Sequence, residues 1–208
     1  MPLYKTFHPN SQTTVKIWEI TESYTDLIES LSLNTNSLAR VSNMKSEIHQ
    51  CGFLSVRSLL AEFGYSDDDL YYDANGKPHL LNGKYISITH SFIFSAVIIS
   101  DVPVGIDIEK QRDKISVIAD KFIDYEFQYL KNKSDRYIND LTVIWCTKEA
   151  LYKLFETPGL SFKQHTLVIP FNLKDETTIA WIDYNDFKHR YHIHFYEFEG
   201  FTCAYAIP

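Results

Sequence analysis

Residues 104–109, Val-Gly-Ile-Asp-Ile-Glu, alternate apolar and acidic side chains directly after the break Asp101-Val102-Pro103. Successive side chains on a strand point to opposite faces, so this alternation predicts a strand with Asp107 and Glu109 on one face and Ile106 and Ile108 on the other. The two carboxylates would lie about 7 Å apart, two residues of strand rise. A hard cation could bind between them, or they could be ordinary acids on an exposed strand face.

The segment Leu141–Phe155, LTVIWCTKEALYKLF, has the spacing of an amphipathic helix. Lys148 falls within its apolar stripe, where a charged group is unfavourable unless it is paired. The lysine could extend to the surface, or it could be held by a buried carboxylate or a phosphate. Glu149 and Lys153 are four residues apart and therefore lie on one flank, either as a surface ion pair or as a pair of active-site groups.

The rest of the chain mixes strand and helix patterns without strict alternation, which indicates the α+β class. Both halves run strand, helices, strands, a weak sign of internal duplication. The acidic run Asp67–Asp69 is interpreted as a solvated helix start. The predicted strands cover residues 13–20, 85–88, 94–100, 104–109, 165–170, 177–184, 190–198 and 202–207, and the predicted helices cover residues 21–33, 46–63, 125–131 and 139–156.

Composition restricts the partners. A formal charge of −7 gives no general surface for nucleic acid, and no apolar run approaches the roughly 18 residues of a membrane helix. The N-terminus lacks the apolar core of a signal peptide. The three cysteines are scattered and match neither a disulfide framework nor a zinc motif. We therefore expect reduced thiols, a cytoplasmic location, and neither a nucleic-acid nor a membrane partner.

Three blocks of sequence resemble the 4'-phosphopantetheinyl transferases, in particular the larger type named after the surfactin-synthetase activator. Residues 105–109, GIDIE, match that family's G-[VI]-D-[IVL]-E, and residues 145–153, WCTKEALYK, match W-[ST]-x-K-E-[AS]-x-x-K with Cys146 in place of Ser or Thr. Residues 76–78, GKP, and residues 87–91, SITHS, are similar to the upstream blocks G-K-P and N-[IL]-S-H-[ST]. The resemblance covers residues 50–162.

The resemblance implies transfer of the phosphopantetheine arm of coenzyme A to a serine of an acyl or peptidyl carrier protein, with release of 3',5'-ADP. It implies that Asp107, Glu109 and Glu149 share a Mg2+ ion and that Lys153 contacts the phosphates. Either Glu149 or Glu109 would take the serine proton. The competing hypotheses are a divalent-metal phosphohydrolase and an inactive protein that binds coenzyme A or a carrier.

The resemblance also implies contacts to the nucleotide end of coenzyme A, by Arg57, Lys77, Thr89 and His90. Arg40 and Lys45 are looser candidates for the 3'-phosphate, and Glu126 matches a further family acid that could equally form a structural ion pair. The implied fold is a monomeric pseudo-dimer of two α+β halves with the cofactor in the cleft between them. Residues 1–103 would form the nucleotide-side half, and residues 104–208 the metal and catalytic half.

Overall fold

The computed structural model describes residues 2–131 and 134–208. Met1, at which the predicted first half begins, lies outside the described residues. The chain divides into two compact units, Met1–Val102 and Pro103–Pro208. In the described residues, each strand pairs with strands of its own unit, and each unit has an antiparallel sheet with one long helix packed against it.

The first unit contains a four-stranded sheet in the order β1-β2-β6-β5 and a separate hairpin of β3 and β4. Its core forms where α3 packs on the sheet, with Val56, Leu59 and Leu60 against Val97 and Ile99. Its strands are β1 (Leu3–Asn10), β2 (Thr13–Glu19), β3 (Leu70–Tyr72), β4 (Pro78–Leu80), β5 (Tyr85–Ser91) and β6 (Phe94–Ser100), and its helices are α1 (Tyr24–Ser30), α2 (Thr35–Ser42) and α3 (Glu47–Glu62).

The second unit contains a five-stranded sheet in the order β7-β11-β10-β9-β8. Its core lies between this sheet and α5, where Leu141, Ile144 and Leu151 belong to the same buried cluster as Phe195 and Ala204. Its strands are β7 (Gly105–Lys110), β8 (Thr166–Val168), β9 (Thr177–Tyr184), β10 (Phe187–Phe198) and β11 (Phe201–Ile207), and its helices are α4 (Lys114–Ile118), α5 (Tyr137–Phe155) and α6 (Phe162–His165).

The predicted α+β class and most of the predicted elements are confirmed. The oxygen of Ser23 accepts a hydrogen bond from the Asp26 amide and caps α1, and Gly64, with φ of +83°, follows the end of α3. A left-handed residue of this kind ends a helix without steric strain when it is glycine.

One local prediction was wrong, and a second was correct only in part. Residues 125–131 form no α-helix; a short 3-10 turn covers Tyr125–Gln128 instead. A short 3-10 helix does begin at Asp67–Asp69 and Asp68 is exposed, but Asp67 is buried and accepts hydrogen bonds from Ser37 and from the backbone of Asn34. Strand β1 and helix α2 were not predicted, because β1 is largely exposed and α2 has only two buried residues, Ser37 and Val41.

No helix in the described part of the chain is both long enough and apolar enough to span a membrane.

Candidate active site

Strand β7 is an edge strand of the second sheet and carries the two predicted acids. Asp107 lies opposite Ala204 of β11, and Glu109 lies opposite Thr202. Asp107 is 5% exposed, whereas Glu109 is half-buried. The strand face that carries the two acids is therefore covered at Asp107. The two residues are not a pair of ordinary acids on an exposed strand face.

Gly105 explains how a helix can cover this face. A methyl group at Gly105 would overlap the carbonyl oxygen of Ala150 and would lie 3.1 Å from Cβ of Leu154. Only glycine therefore lets the backbone of α5 lie directly on β7. Gly105, Asp107 and Glu109 share one strand face because side chains alternate, so the close approach brings α5 beside both acids.

Lys153 joins the helix to the strand. Its Nζ lies 2.8 Å from Oδ1 of Asp107 and 3.0 Å from the carbonyl oxygen of Ile106. The Lys153 side chain is 28% exposed and that of Asp107 is 7% exposed. The buried carboxylate of Asp107 is thus paired with the ammonium group of Lys153, whose side chain is still partly accessible to solvent.

Glu149 lies one turn before Lys153 on α5 and is half-buried. Burial raises the pKa of its carboxyl group to about 7, and the negative charges of Asp107 and Glu109 act in the same direction, while Lys153 opposes the shift. The structure therefore brings Asp107, Glu109, Glu149 and Lys153 together in one electrostatically coupled group. Sequence spacing alone had related only Asp107 to Glu109 and Glu149 to Lys153.

The chemistry of this group fits a hard cation. Three carboxylates supply oxygen ligands, and a bound divalent ion would offset both the burial that chiefly raises the pKa of Glu149 and the smaller repulsion by Asp107 and Glu109. Within residues 2–131 and 134–208, no three His, Cys, Asp or Glu side chains stand in an arrangement ready to hold a metal ion. Asp107 instead has the Lys153 ammonium as its cation, so ion binding requires these side chains to rearrange.

The structure decides between the alternatives for Lys148. The residue is fully buried, and its Nζ lies 2.8 Å from Oε1 of Glu126. The ammonium also donates to the carbonyl oxygens of Phe122, Phe162 and Thr166 at 2.7–3.0 Å. Lys148 is therefore held by a buried carboxylate, and Glu126 forms a structural ion pair with it.

A pocket of about 160 Å³ adjoins Glu109 and had no counterpart among the sequence predictions. Arg112, Lys114, Ile115 and Trp145 are among the residues that line it. The run Lys110-Gln111-Arg112-Asp113-Lys114, directly after Glu109, was the sequence signal that could have indicated a basic rim in this acidic protein.

The four residues predicted for the nucleotide end all lie in the first unit. Arg57 is buried; its Nε donates to Oδ1 of Asp67 at 3.1 Å, and its guanidinium lies 3.6 Å from the centre of the Phe53 ring. The polar face of Arg57 is thus engaged by a structural carboxylate.

The other three predicted residues lie on or near the strands of the first unit. Lys77 lies in the turn between β3 and β4, where burial lowers the pKa of its ammonium and Asp73 opposes this. Thr89 is buried on β5, and the neighbouring His90 is exposed, with its ring centre 6.4 Å from that of His49. Of the looser candidates, Arg40 lies over the rings of Phe53 and Tyr72.

The cysteines have no disulfide partners, as predicted. Cys146 is fully buried and donates to the carbonyl oxygen of Thr202 at 3.5 Å. Burial raises the pKa of this thiol well above its ordinary value, and Asp107 and Glu109 act in the same direction. A reactive thiolate needs the opposite environment, so Cys146 is not placed as a nucleophile.

Comparison with known proteins agrees with the assignment made from the sequence motifs. The profile of the 4'-phosphopantetheinyl transferase superfamily matches residues 103–206, which is the second unit almost in full. A search of curated proteins found no match. On the basis of the profile match, the chain belongs to the 4'-phosphopantetheinyl transferase superfamily.

Proposed function

We propose that this protein transfers the 4'-phosphopantetheine group of coenzyme A to a serine of an apo acyl or peptidyl carrier protein, as a member of the larger surfactin-synthetase-activator type. The observation that carries the proposal is the coupling of Asp107, Glu109, Glu149 and Lys153 at the contact of β7 and α5. All four residues belong to the two sequence blocks, 105–109 and 145–153, that match the family.

The three carboxylates would hold a Mg2+ ion, whose ligands in proteins are oxygens. When bound, Mg2+ supplies positive charge at the phosphorus that is attacked. Lys153 would leave Asp107 and contact the pyrophosphate as a point charge, because its side chain is flexible and partly exposed.

The transfer forms one P–O bond and breaks another. The serine oxygen of the carrier attacks the phosphorus that bears the pantetheine arm, and the bond between that phosphorus and the bridging oxygen breaks, so that 3',5'-ADP leaves with the electron pair. A carboxylate takes the serine proton, directly or through a water molecule. Both Glu149 and Glu109 are candidates for this base, because the pKa of about 7 at Glu149 belongs to the site without metal and a bound cation would lower it.

The nucleotide end of coenzyme A is assigned to residues of the first unit by motif resemblance. Lys77, Thr89 and His90 are the proposed contacts. Arg57 is proposed as a support for this region rather than as a free cation, because Asp67 already accepts a hydrogen bond from it. A monomeric state and a cytoplasmic location are further predictions that accompany this function.

The mass of a carrier protein tests the proposal. Apo-carrier proteins from fatty-acid, polyketide, peptide and siderophore systems are incubated with the protein, coenzyme A and Mg2+. We expect at least one carrier to gain one phosphopantetheine group on its serine. Consumption of coenzyme A without any carrier adduct would instead indicate a phosphohydrolase, and binding without consumption would indicate an inactive member.

A further inference from the structure

The ammonium of Lys148 is the meeting point of separate chain segments. Besides Glu126, it contacts the carbonyl oxygens of Phe122 and Phe162 at 2.7 and 3.0 Å. Glu126 in turn accepts hydrogen bonds from the amides of Val168 and Asp124 at 2.9 and 3.2 Å. The ion pair therefore ties together backbone that precedes α5, at Phe122 and Asp124, and backbone that follows it, at Phe162 in α6 and at Val168 in β8.

The rings of the same two phenylalanines clamp a third aromatic side chain. The Phe122 ring meets Trp145 edge to face at 5.0 Å, and the Phe162 ring does so at 5.6 Å. We refer to Phe122, Trp145 and Phe162 as the aromatic wall. Trp145 lies one turn before Glu149 on α5 and lines the pocket that Glu109 also lines.

We infer that the Lys148–Glu126 pair is a positioning pair, which holds the aromatic wall beside Glu109 and thereby orients the reacting groups. This inference rests on the transferase function proposed above. The ammonium fixes the positions of the Phe122 and Phe162 carbonyl groups. The position of that backbone determines where the two phenylalanine rings lie, and the rings in turn hold the indole of Trp145. Neither Lys148 nor Glu126 touches the pocket, so they act through the wall and not on the substrate.

Energetics support a role beyond stability. Burying two charges removes both from water, and apolar side chains of similar volume often replace such a pair with no loss of stability. An apolar pair could fill the same space, but it could not bind three carbonyl oxygens at once. What the ion pair adds to an apolar core here is a fixed geometry for the segments that carry the wall.

The test compares the double variant Lys148→Met/Glu126→Gln with the parent protein. The double variant removes both charges together, since a single Lys148→Met would leave Glu126 as an unpaired buried charge and could fail to fold. A single Glu126→Gln is not used either, because it would leave the buried Lys148 ammonium without its counter-charge. Arg136→Gln/Asp140→Asn removes a more exposed ion pair at the N-terminal end of α5, with 3.2 Å between Arg136 Nη2 and Asp140 Oδ1, and is the matched control.

Two measurements distinguish a pair that positions the aromatic wall from a pair that only stabilises the fold. The first is the fluorescence of Trp145 in a background of Trp18→Phe and Trp181→Phe, measured with no substrate present. The second is the split between kcat and KM in carrier modification. Circular dichroism confirms that each variant is folded at the temperature used.

For the double variant we expect red-shifted, more readily quenched Trp145 emission and a kcat about 10-fold to 100-fold lower, with the KM for coenzyme A changed far less. The Arg136→Gln/Asp140→Asn control should stay close to the parent in both readouts. A folded double variant with unchanged Trp145 emission would overturn the inference, as would normal kcat with displaced emission. Because the fluorescence needs no substrate, it tests the wall even if the parent protein transfers nothing, a result that would reject the proposed function separately.

Discussion

Nζ of Lys153 and Oδ1 of Asp107 lie 2.8 Å apart, so the central helix of the second unit is tied to its edge strand at the carboxylates themselves. The two residues are 46 positions apart in sequence. Their contact is what turns two short motifs into one charged group, and the close approach at Gly105 makes that contact possible.

Replacing Gly105 by alanine should therefore disturb both stability and activity. The added methyl would overlap the carbonyl oxygen of Ala150 and force α5 away from β7. We expect a loss of about 2–4 kcal/mol in the free energy of unfolding, measured by denaturant titration, and loss of transfer activity. Gly83→Ala is the control: its φ is +80° but no atom lies within 4 Å, so only the backbone strain of about 1 kcal/mol applies. Equal stability of the two variants would contradict the close packing of α5 on β7.

Glu149 makes stability depend on pH in a defined direction. Its pKa is about 7 in the folded protein and 4.5 as the ordinary value, so the folded state holds this proton more tightly than the unfolded state does. The stability linked to Glu149 is therefore full below about pH 4.5 and is lost as the pH rises through about 7. Glu149→Gln removes this dependence, and without metal it should be more stable than the parent by up to about 3 kcal/mol above neutral pH.

This is measured by unfolding at about pH 5 and about pH 8 in the presence of a chelator. Glu29→Gln, at an exposed position of α1, serves as the control. A Glu149→Gln variant whose advantage is the same at both pH values would show that burial does not hold the carboxyl group in its protonated form.

Cys146 should be dispensable for transfer. It is fully buried and its thiol pKa is raised, so it supplies no thiolate. Cys146→Ser places at this position a side chain that is common in the resembling motif, and its hydroxyl can donate to the same carbonyl oxygen of Thr202. We expect kcat/KM within about threefold of the parent, which is below 1 kcal/mol in transition-state stabilisation. Loss of activity in a folded Cys146→Ser variant would reopen a role for the thiol.

Sequence periodicity predicted β7 and α5 and placed Asp107, Glu109, Glu149 and Lys153 on their faces, because strand and helix periods are local properties. It did not reveal which partner each group finds. Lys148 could have met a phosphate, but it meets Glu126, a residue 22 positions earlier. Asp67 looked solvated in an acidic run, yet it is buried by Arg57 from α3. Such pairings depend on how elements pack, which no local pattern encodes.

The central claim, that the acids at the contact of β7 and α5 carry out phosphopantetheine transfer, is tested most directly by intact-mass analysis of a carrier protein treated with Asp107→Ala. Asp183→Ala, on the exposed end of β9, is the control. Asp107→Ala should remain folded by circular dichroism and leave the carrier without the added mass, whereas the parent and the control should convert it fully. Full conversion by Asp107→Ala would contradict the proposed site.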